Sequence, residues 1–238
     1  EASFNDANLF MANLSLAPPL VSTSFKGAYL EKLTWAGHIE NCDFGHTKMK
    51  DSIFTNCNLS GCNFFKSNLA NANFEGATLN EVIFDQSLSF NCQFTEGNLT
   101  NCKLVCTDFH GASFREAQLK DCDFSGAKLQ YSDFRGGSCV GCTFNGASLI
   151  CSQLVMLDGH KKEEDGSKSH GIFGKKKEKA KHSAVFRDCS FRYALLQGID
   201  LRNSDCTGSN FTKANLTNAL LANALIDTNG AFAPRAIL

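Results

Sequence analysis

The chain has 238 residues, 23 basic against 24 acidic side chains and a formal net charge of −1. That balance excludes a global electrostatic preference for nucleic acid or an anionic membrane surface, and no run of about 20 apolar residues supplies a membrane-spanning helix. Its 21 phenylalanines and 12 cysteines stand out against one tryptophan and three tyrosines, and both trace to a repeat.

The repeat is already running at the first residues. Phe4, Leu9 and Leu14 keep a step of five, Ala17-Pro18-Pro19-Leu20 makes a step of six, and Phe25, Leu30 and Trp35 follow in step. Ile39 then arrives after only four. The extra residue and the missing one cancel, so Phe4, Phe25 and Phe44 are expected on one column and Leu14, Trp35 and Phe54 on another. The proline pair reads as a corner bulge, since proline lacks an N–H and belongs where no ladder bond is needed. Trp35 reads as core. No signal peptide precedes the first repeat, a start compatible with a processed or trimmed chain.

From Ile39 to Leu154 every fifth residue is large and apolar over 24 positions, with only Ser89 and Cys139 falling short. Two residues before each sits a Gly, Ala, Ser, Cys or Thr, or at the largest Val82. Five residues turn an α-helix by about 500°, so these side chains could not share a helical face. In a flat strand a step of five sends them to alternate sides. The pattern therefore requires a chain that turns a corner every five residues. The small and the large residue point inward, and three mostly polar residues point outward. One such unit cannot bury its own apolar residue; stacked units can, which defines a solenoid. Alternate large positions separate into a set with ten Phe among twelve (Phe44, Phe54, Phe64 and onward) and a Leu-rich set with only Phe109. The true period is thus ten residues or a multiple, with Phe stacked on Phe along the axis.

Ala72-Asn73-Phe74, Cys122-Asp123-Phe124, Ala214-Asn215-Leu216 and Ser67-Asn68-Leu69 resemble the A(D/N)Lxx motif of the pentapeptide-repeat family. The resemblance covers nearly the whole chain apart from one insert. It implies an all-β fold, a right-handed quadrilateral β-helix with four pentapeptides and 20 residues per coil. On that reading residues 1–238 form one domain of about ten coils.

Eight cysteines (Cys42, Cys57, Cys62, Cys92, Cys102, Cys122, Cys142 and Cys189) fall on the small inward position, where Cys serves as a small hydrophobe. With 20 residues per coil, Cys42, Cys62, Cys102, Cys122 and Cys142 share a column. Parallel side chains there keep Cβ atoms about 4.8 Å apart, beyond the usual disulfide spacing. Reduced thiols are expected, which favours a cytoplasmic or organellar, reducing compartment.

The register stops after Leu154 and resumes at Phe186, followed by Phe191, Leu196, Leu201, Cys206, Phe211, Leu216, Leu221 and Ile226. The gap amounts to an insertion of 27 residues at one corner. Residues 155–185 are read as a solvated loop, with eight Lys against four acids between Lys161 and Lys181. Residues 227–238 leave the pattern, and Ala231-Phe232 and Ile237-Leu238 are expected to fold over the last coil as a cap.

The sequence offers no catalytic constellation. His38, His46 and His110 take outward positions far apart in register, and His160, His170 and His182 lie in the insert. Gly61, Gly76, Gly111 and Gly126 read as corner residues rather than a phosphate loop. No metal, cofactor or small-molecule substrate is expected. Three features could bind a partner. The insert lysines (Lys161, Lys162, Lys175, Lys176, Lys177) could contact acidic protein, nucleic acid or lipid headgroups, against a plain solvated loop. Ile83, Leu88 and Phe90 are apolar at outward positions, either an interface or a local distortion of the repeat near Ser89. Arg115 and Arg135 stack 20 residues apart, either for an anionic partner or as a solvated face. The leading expectation is a non-enzymatic protein-binding scaffold or assembly subunit. The resemblance also implies two alternatives, a topoisomerase-protecting DNA mimic and the repeat domain of a secreted effector. The mimic requires an acidic surface and a C-terminal helical module, and the sequence provides neither.

Overall fold

The computed structural model describes residues 2–154 and 184–231. Nine short strands are assigned: β1 (Asn13–Leu14), β2 (Leu20–Val21), β3 (Thr34–Trp35), β4 (Ile39–Glu40), β5 (Thr78–Asn80), β6 (Asn98–Thr100), β7 (Gln118–Lys120), β8 (Ser138–Val140) and β9 (Val185–Arg187). Every pairing is parallel: β1 with β3, β2 with β4, and β5 through β9 in sequence order. Single-residue bridges extend the ladders into four columns. One column runs Ser3, Ser24, Asp43, Asn63, Ile83, Lys103, Asp123, Thr143, Ser190 and Asn210, ten residues each a coil apart. The result is an all-β parallel solenoid with four faces.

Each pentapeptide builds one face and one corner. The small and large residues are buried on either side of an outward residue, and two residues then turn the corner. The corner closes with a hydrogen bond from the next small residue to the large residue's carbonyl, as Ala28 N–H to Phe25 O at 2.9 Å and Ala127 N–H to Phe124 O at 3.0 Å. Its second residue has a positive φ, +58° at Asn56 and +69° at Gly61, a region that Gly and Asn enter at least cost.

The outward Asn or Asp of the motif has its own task. Its side-chain oxygen accepts the first corner N–H: Ser60 N–H to Asn58 Oδ1 at 3.1 Å, Phe65 to Asn63 at 3.0 Å, Glu75 to Asn73 at 2.8 Å and Ser125 to Asp123 at 2.9 Å. Those N–H groups find no partner within the coil's own ladder, so the side chain supplies one.

The interior is two aromatic files. Phe44, Phe64 and Phe84 stack at 5.1 Å with planes 7–13° apart, and Phe74, Phe94 and Phe114 at 5.0–5.1 Å with planes 3° apart. The files meet edge to face, as in Phe74–Phe84 at 5.8 Å and 90°. Offset stacking along the axis and T-contacts across it satisfy the ring quadrupole in both directions. Leu and Ile fill the other two faces. The compensating steps hold: Phe25 stacks on Phe4 at 5.1 Å and on Phe44 at 5.0 Å, and Leu14 pairs with Trp35.

The inward thiols do more than fill space. Cys62 Sγ lies 3.2 Å from the Ile39 carbonyl, Cys92 3.0 Å from Leu69 O and Cys102 3.1 Å from Leu79 O. Thr107 and Ser209 reach the equivalent carbonyls at 2.7 and 2.6 Å. These side chains donate to the carbonyl of the large residue one coil earlier, which an Ala cannot do, whereas Thr47 and Ser67 donate to the large residue three before them. Burial pushes the Cys57 thiol up to about 11 and the Cys92 and Cys206 thiols up to about 12.

At the corners, Asn or Asp is followed one coil later by Gly in several places. A Cβ on Gly61 would meet Asn41 Oδ1 at 2.1 Å, and one on Gly208 would meet Asp188 Oδ1 at 2.1 Å, whereas nothing lies within 4 Å of Gly146. The Asx side chain thus occupies the space that glycine leaves.

After the insertion Cys139 pairs with Phe186, and Phe191 stacks on Phe144 at 4.9 Å. The regular coil resumes at Ala184, two residues before the expected resumption at Phe186. Ala184 is buried at the small position, and Val185 pairs with Ser138 and Asp205. Ala184 N–H donates to Leu154 O at 2.8 Å, so the two ends of the excursion are adjacent. Residues 155–183 lie outside the described residues, as do Phe232, Ile237 and Leu238 of the expected cap. The described tail leaves the ladder, with Lys213 N–H on Gly230 O at 2.6 Å and Ala231 packed against the core.

Phe124→Ala, at a position stacked at 4.9 Å on Phe144, is expected to lower the unfolding free energy by about 3–5 kcal/mol in urea titrations; a loss below about 1 kcal/mol contradicts the packing. Gly61→Ala should cost clearly more than Gly146→Ala in the same assay. Both positions carry a φ near +66 to +69°, so the difference isolates the Asn41 contact.

Raised thiol pKa values mean that the folded state holds its protons longer. Their stabilisation is complete below the unfolded thiol pKa of about 8.5–9 and is lost as pH climbs toward 12. Melts of the protein should therefore weaken progressively above about pH 9, and a Cys92→Ala variant should weaken less steeply.

Candidate partner-binding face

Leu88 belongs to the column Tyr29, Lys48, Asn68, Leu88, Asp108, Lys128 and Ser148. Phe90 is the first corner residue beyond it. Hydrogen bonds from Asn71 N–H to Phe90 O (3.0 Å), Asn91 N–H to His110 O (2.9 Å) and Gly111 N–H to Gln130 O (3.0 Å) stack Phe90, His110 and Gln130 on successive coils. Tyr131 follows Gln130, and its ring meets that of His110 at 5.2 Å. Leu88 is 48% exposed, Phe90 36% and Tyr131 59%. Leu88, Phe90, His110 and Tyr131 thus form one ridge along a corner of the solenoid.

The repeat is not distorted there. Ser89 is fully buried in the place of a Leu, its hydroxyl 2.8 Å from that of Ser87, and the backbone ladder passes through unbroken (Leu88 N–H to Ser67 O, 2.9 Å; Ser89 N–H to Asp108 O, 2.8 Å). Leu88 occupies the outward position at which Asn68 accepts the corner N–H of Ala70 at 3.2 Å. A leucine cannot do this. Ile83 makes the same substitution on the preceding face and is half-buried.

Arg115 and Arg135 do come together, but not as an open cationic pair. Asp133 takes Arg135 in a bidentate contact, Nε to Oδ1 at 2.8 Å and a terminal nitrogen to Oδ2 at 2.5 Å, which raises the guanidinium pKa. Arg115 lies 3.9 Å from the same carboxylate and 4.0 Å from Glu116. Two acids therefore balance the two arginines within the solenoid. Lys161, Lys162, Lys175, Lys176 and Lys177 lie outside the described residues, as do His160, His170 and His182. His38, His46 and His110 are exposed.

Among the described residues no group of three His, Cys, Asp or Glu side chains could hold a metal ion, and no helix is long and apolar enough to cross a membrane. A recess of about 170 Å³ at the first coil, lined by Phe4, Leu9, Leu14, Ala17, Leu20, Phe25 and Trp35, is the end of the core column. An open trough over Asn98, Thr100, Gln118, Lys120, Ser138 and Val140 is the flat outer surface of strands β6 to β8. Neither gathers a nucleophile with a base.

All twelve cysteines are free thiols, and only Cys106 and Cys151 are exposed. Labelling the native protein with an aromatic disulfide reagent should modify these two quickly and the other ten only on unfolding.

The family model for pentapeptide repeats matches in eight copies over residues 42–80, 57–87, 92–130 and 183–224. Among solved structures the chain is similar to HetL, a pentapeptide repeat protein involved in heterocyst differentiation regulation in the cyanobacterium Nostoc sp. strain PCC 7120. The identity is 20%, the match covers 97% of this chain and 88% of HetL, and the TM-score is 0.52. QnrB1, a plasmid-mediated fluoroquinolone resistance protein, matches at 16% identity over 92% of this chain and 87% of its own, with a TM-score of 0.37. A thylakoid-lumen pentapeptide repeat protein of Arabidopsis thaliana matches at 23% identity over 49% of this chain and 65% of its own, with a TM-score of 0.21. Curated protein sequences gave no match. The five-residue step, the four-faced parallel solenoid and a family model that matches more than half the chain lead to one conclusion: this chain belongs to the pentapeptide-repeat family.

Proposed function

We propose that this chain is a non-enzymatic scaffold that recognises a protein partner through the ridge of Leu88, Phe90, His110 and Tyr131. The observation that carries the reading is the exchange at Leu88. An exposed leucine stands where the repeat uses Asn or Asp to accept a corner N–H. It gives up that hydrogen bond and places apolar area in water, and folding accounts for neither cost. Partner binding does account for the exposed area, since it takes Leu88 and Phe90 out of water and recruits Tyr131, a residue type enriched among those that dominate interface energies.

The surface charges favour this reading over a DNA mimic. Carboxylates that would build an acidic stripe are engaged internally, Asp133 with Arg135, Asp205 with Arg187, Asp200 with Arg202 and Asp108 with Lys128. The free thiols suit a reducing compartment, cytoplasmic or organellar. In the insert, the lysines are a second contact candidate. Their test is a chain in which residues 155–183 are replaced by a two-residue corner, which restores the five-residue step between Leu154 and Phe186. It should melt cooperatively at the parent temperature; any partner it loses belongs to the insert.

Leu88→Asn separates folding from function. It restores the acceptor and should raise the unfolding free energy by about 0.5–1 kcal/mol. It should also release proteins that the parent chain retains in affinity capture from its native source. A variant that is destabilised and still captures the same proteins overturns the assignment.

A further inference from the structure

Resting on that reading of the ridge, we propose the chemistry of the partner: an extended segment whose carboxylates lie about three residues from its apolar anchors. Two ranks of the face carry the same message. Lys48 and Leu88 share a column with Asn68 between them. Lys50 and Phe90 share the neighbouring corner stack with Ala70 between them, through Asp51 N–H to Ala70 O at 2.9 Å and Asn71 N–H to Phe90 O at 3.0 Å. In each rank an ammonium group sits two coils before an exposed apolar side chain.

Both lysines are exposed. Among the described residues neither has a carboxylate within ion-pair distance. The acids around them are engaged. Glu31 takes the Tyr29 hydroxyl at 3.0 Å, Asp51 takes Asn71 Nδ2 at 2.9 Å, and Asp108, on the far side of Leu88, takes Lys128 at 3.5 Å. The face therefore offers two lysines outside any ion pair beside two apolar anchors, with Lys48 Nζ 5.8 Å from the centre of the Tyr29 ring.

Coils stack about 4.8 Å apart, so two coils span about 10 Å, and an extended chain covers that in about three residues. An acidic group that distance from a Leu, Ile or Phe reaches a lysine as its anchor reaches Leu88 and Phe90. The aliphatic Leu88 and the buried Ala70 floor between the ranks favour a peptide over the stacked bases of a nucleic acid strand.

The test selects binders from a random peptide display library against the full chain. Enriched peptides are then titrated against the parent, a Lys48→Glu/Lys50→Glu variant and Leu88→Asn, with thermal melts to confirm folding. Enriched sequences should carry Asp or Glu about three residues from an apolar side chain. The double lysine variant should bind them about tenfold more weakly, with most of the salt dependence gone. Enrichment of peptides without acids, no enrichment at all, or tighter binding of an oligothymidine than of any peptide overturns the proposal. If Leu88→Asn weakens binding and the lysine variant does not, the apolar ridge stands and the acidic partner falls. If neither variant matters, both readings fall.

Discussion

Everything in this molecule depends on one backbone constraint, a left-handed residue at nearly every corner. A chain that must reverse its inward direction each five residues can do so in two residues only if the second adopts positive φ, as at Asn56, Gly61, Asn71 and Gly76. That conformation sets the length of each face to three residues. Three residues leave two inward positions per face, and the square so formed has room for one small and one large side chain on each side. The Phe files, the thiol column and the outward Asn row are consequences of that geometry. Each is a different answer to the question of what fits, or what must be hydrogen-bonded, at a fixed place on the square.

The periodicity made the fold legible because it constrains inward residues directly. Phe4, Phe25 and Phe44 could be placed on one column despite two irregular steps, since only a shared column lets both steps cancel. The compensation between Arg115, Arg135, Asp133 and Glu116 was not legible. Outward residues obey no period, and the reach of a guanidinium across faces depends on rotamers that spacing does not encode. The donor role of the inward thiols was also missed. A period of five identifies the position as small, but Ala, Cys, Ser and Thr look equivalent until the carbonyl one coil earlier is in view. At Leu88 the sequence did carry the signal. An apolar residue between Asn68 and Asp108 in a polar column is visible by inspection, and its meaning needed only the corner hydrogen bond that Asn68 supplies.

The two halves of the protein's chemistry are therefore separated by direction. Inward groups are desolvated and mostly apolar, so they hold the shape and take no part in recognition. Outward groups are mostly engaged with one another, by Asx turns or ion pairs between adjacent coils. A binding surface on such a body is best sought where a residue declines that local engagement. Leu88 with Phe90, and Lys50, are such places.

The interlock of Asn41 with Gly61 and of Asp188 with Gly208 makes the coils non-interchangeable. Asn41 and Asp188 fill the space of a side chain absent twenty residues later, whereas Asp51 and Asn71 instead accept a hydrogen bond from the Asn one coil on, so the order in which coils are stacked is written at the corners as well as in the core. Excising the coil that begins at Gly61 would bring Glu81, which carries a Cβ at φ +58°, under Asn41 and force that side chain into another rotamer. Recombination between solenoids of this kind is thereby filtered. A spliced chain can satisfy every core position and still misfit along one edge, and pairs of corner residues one coil apart must change together or not at all.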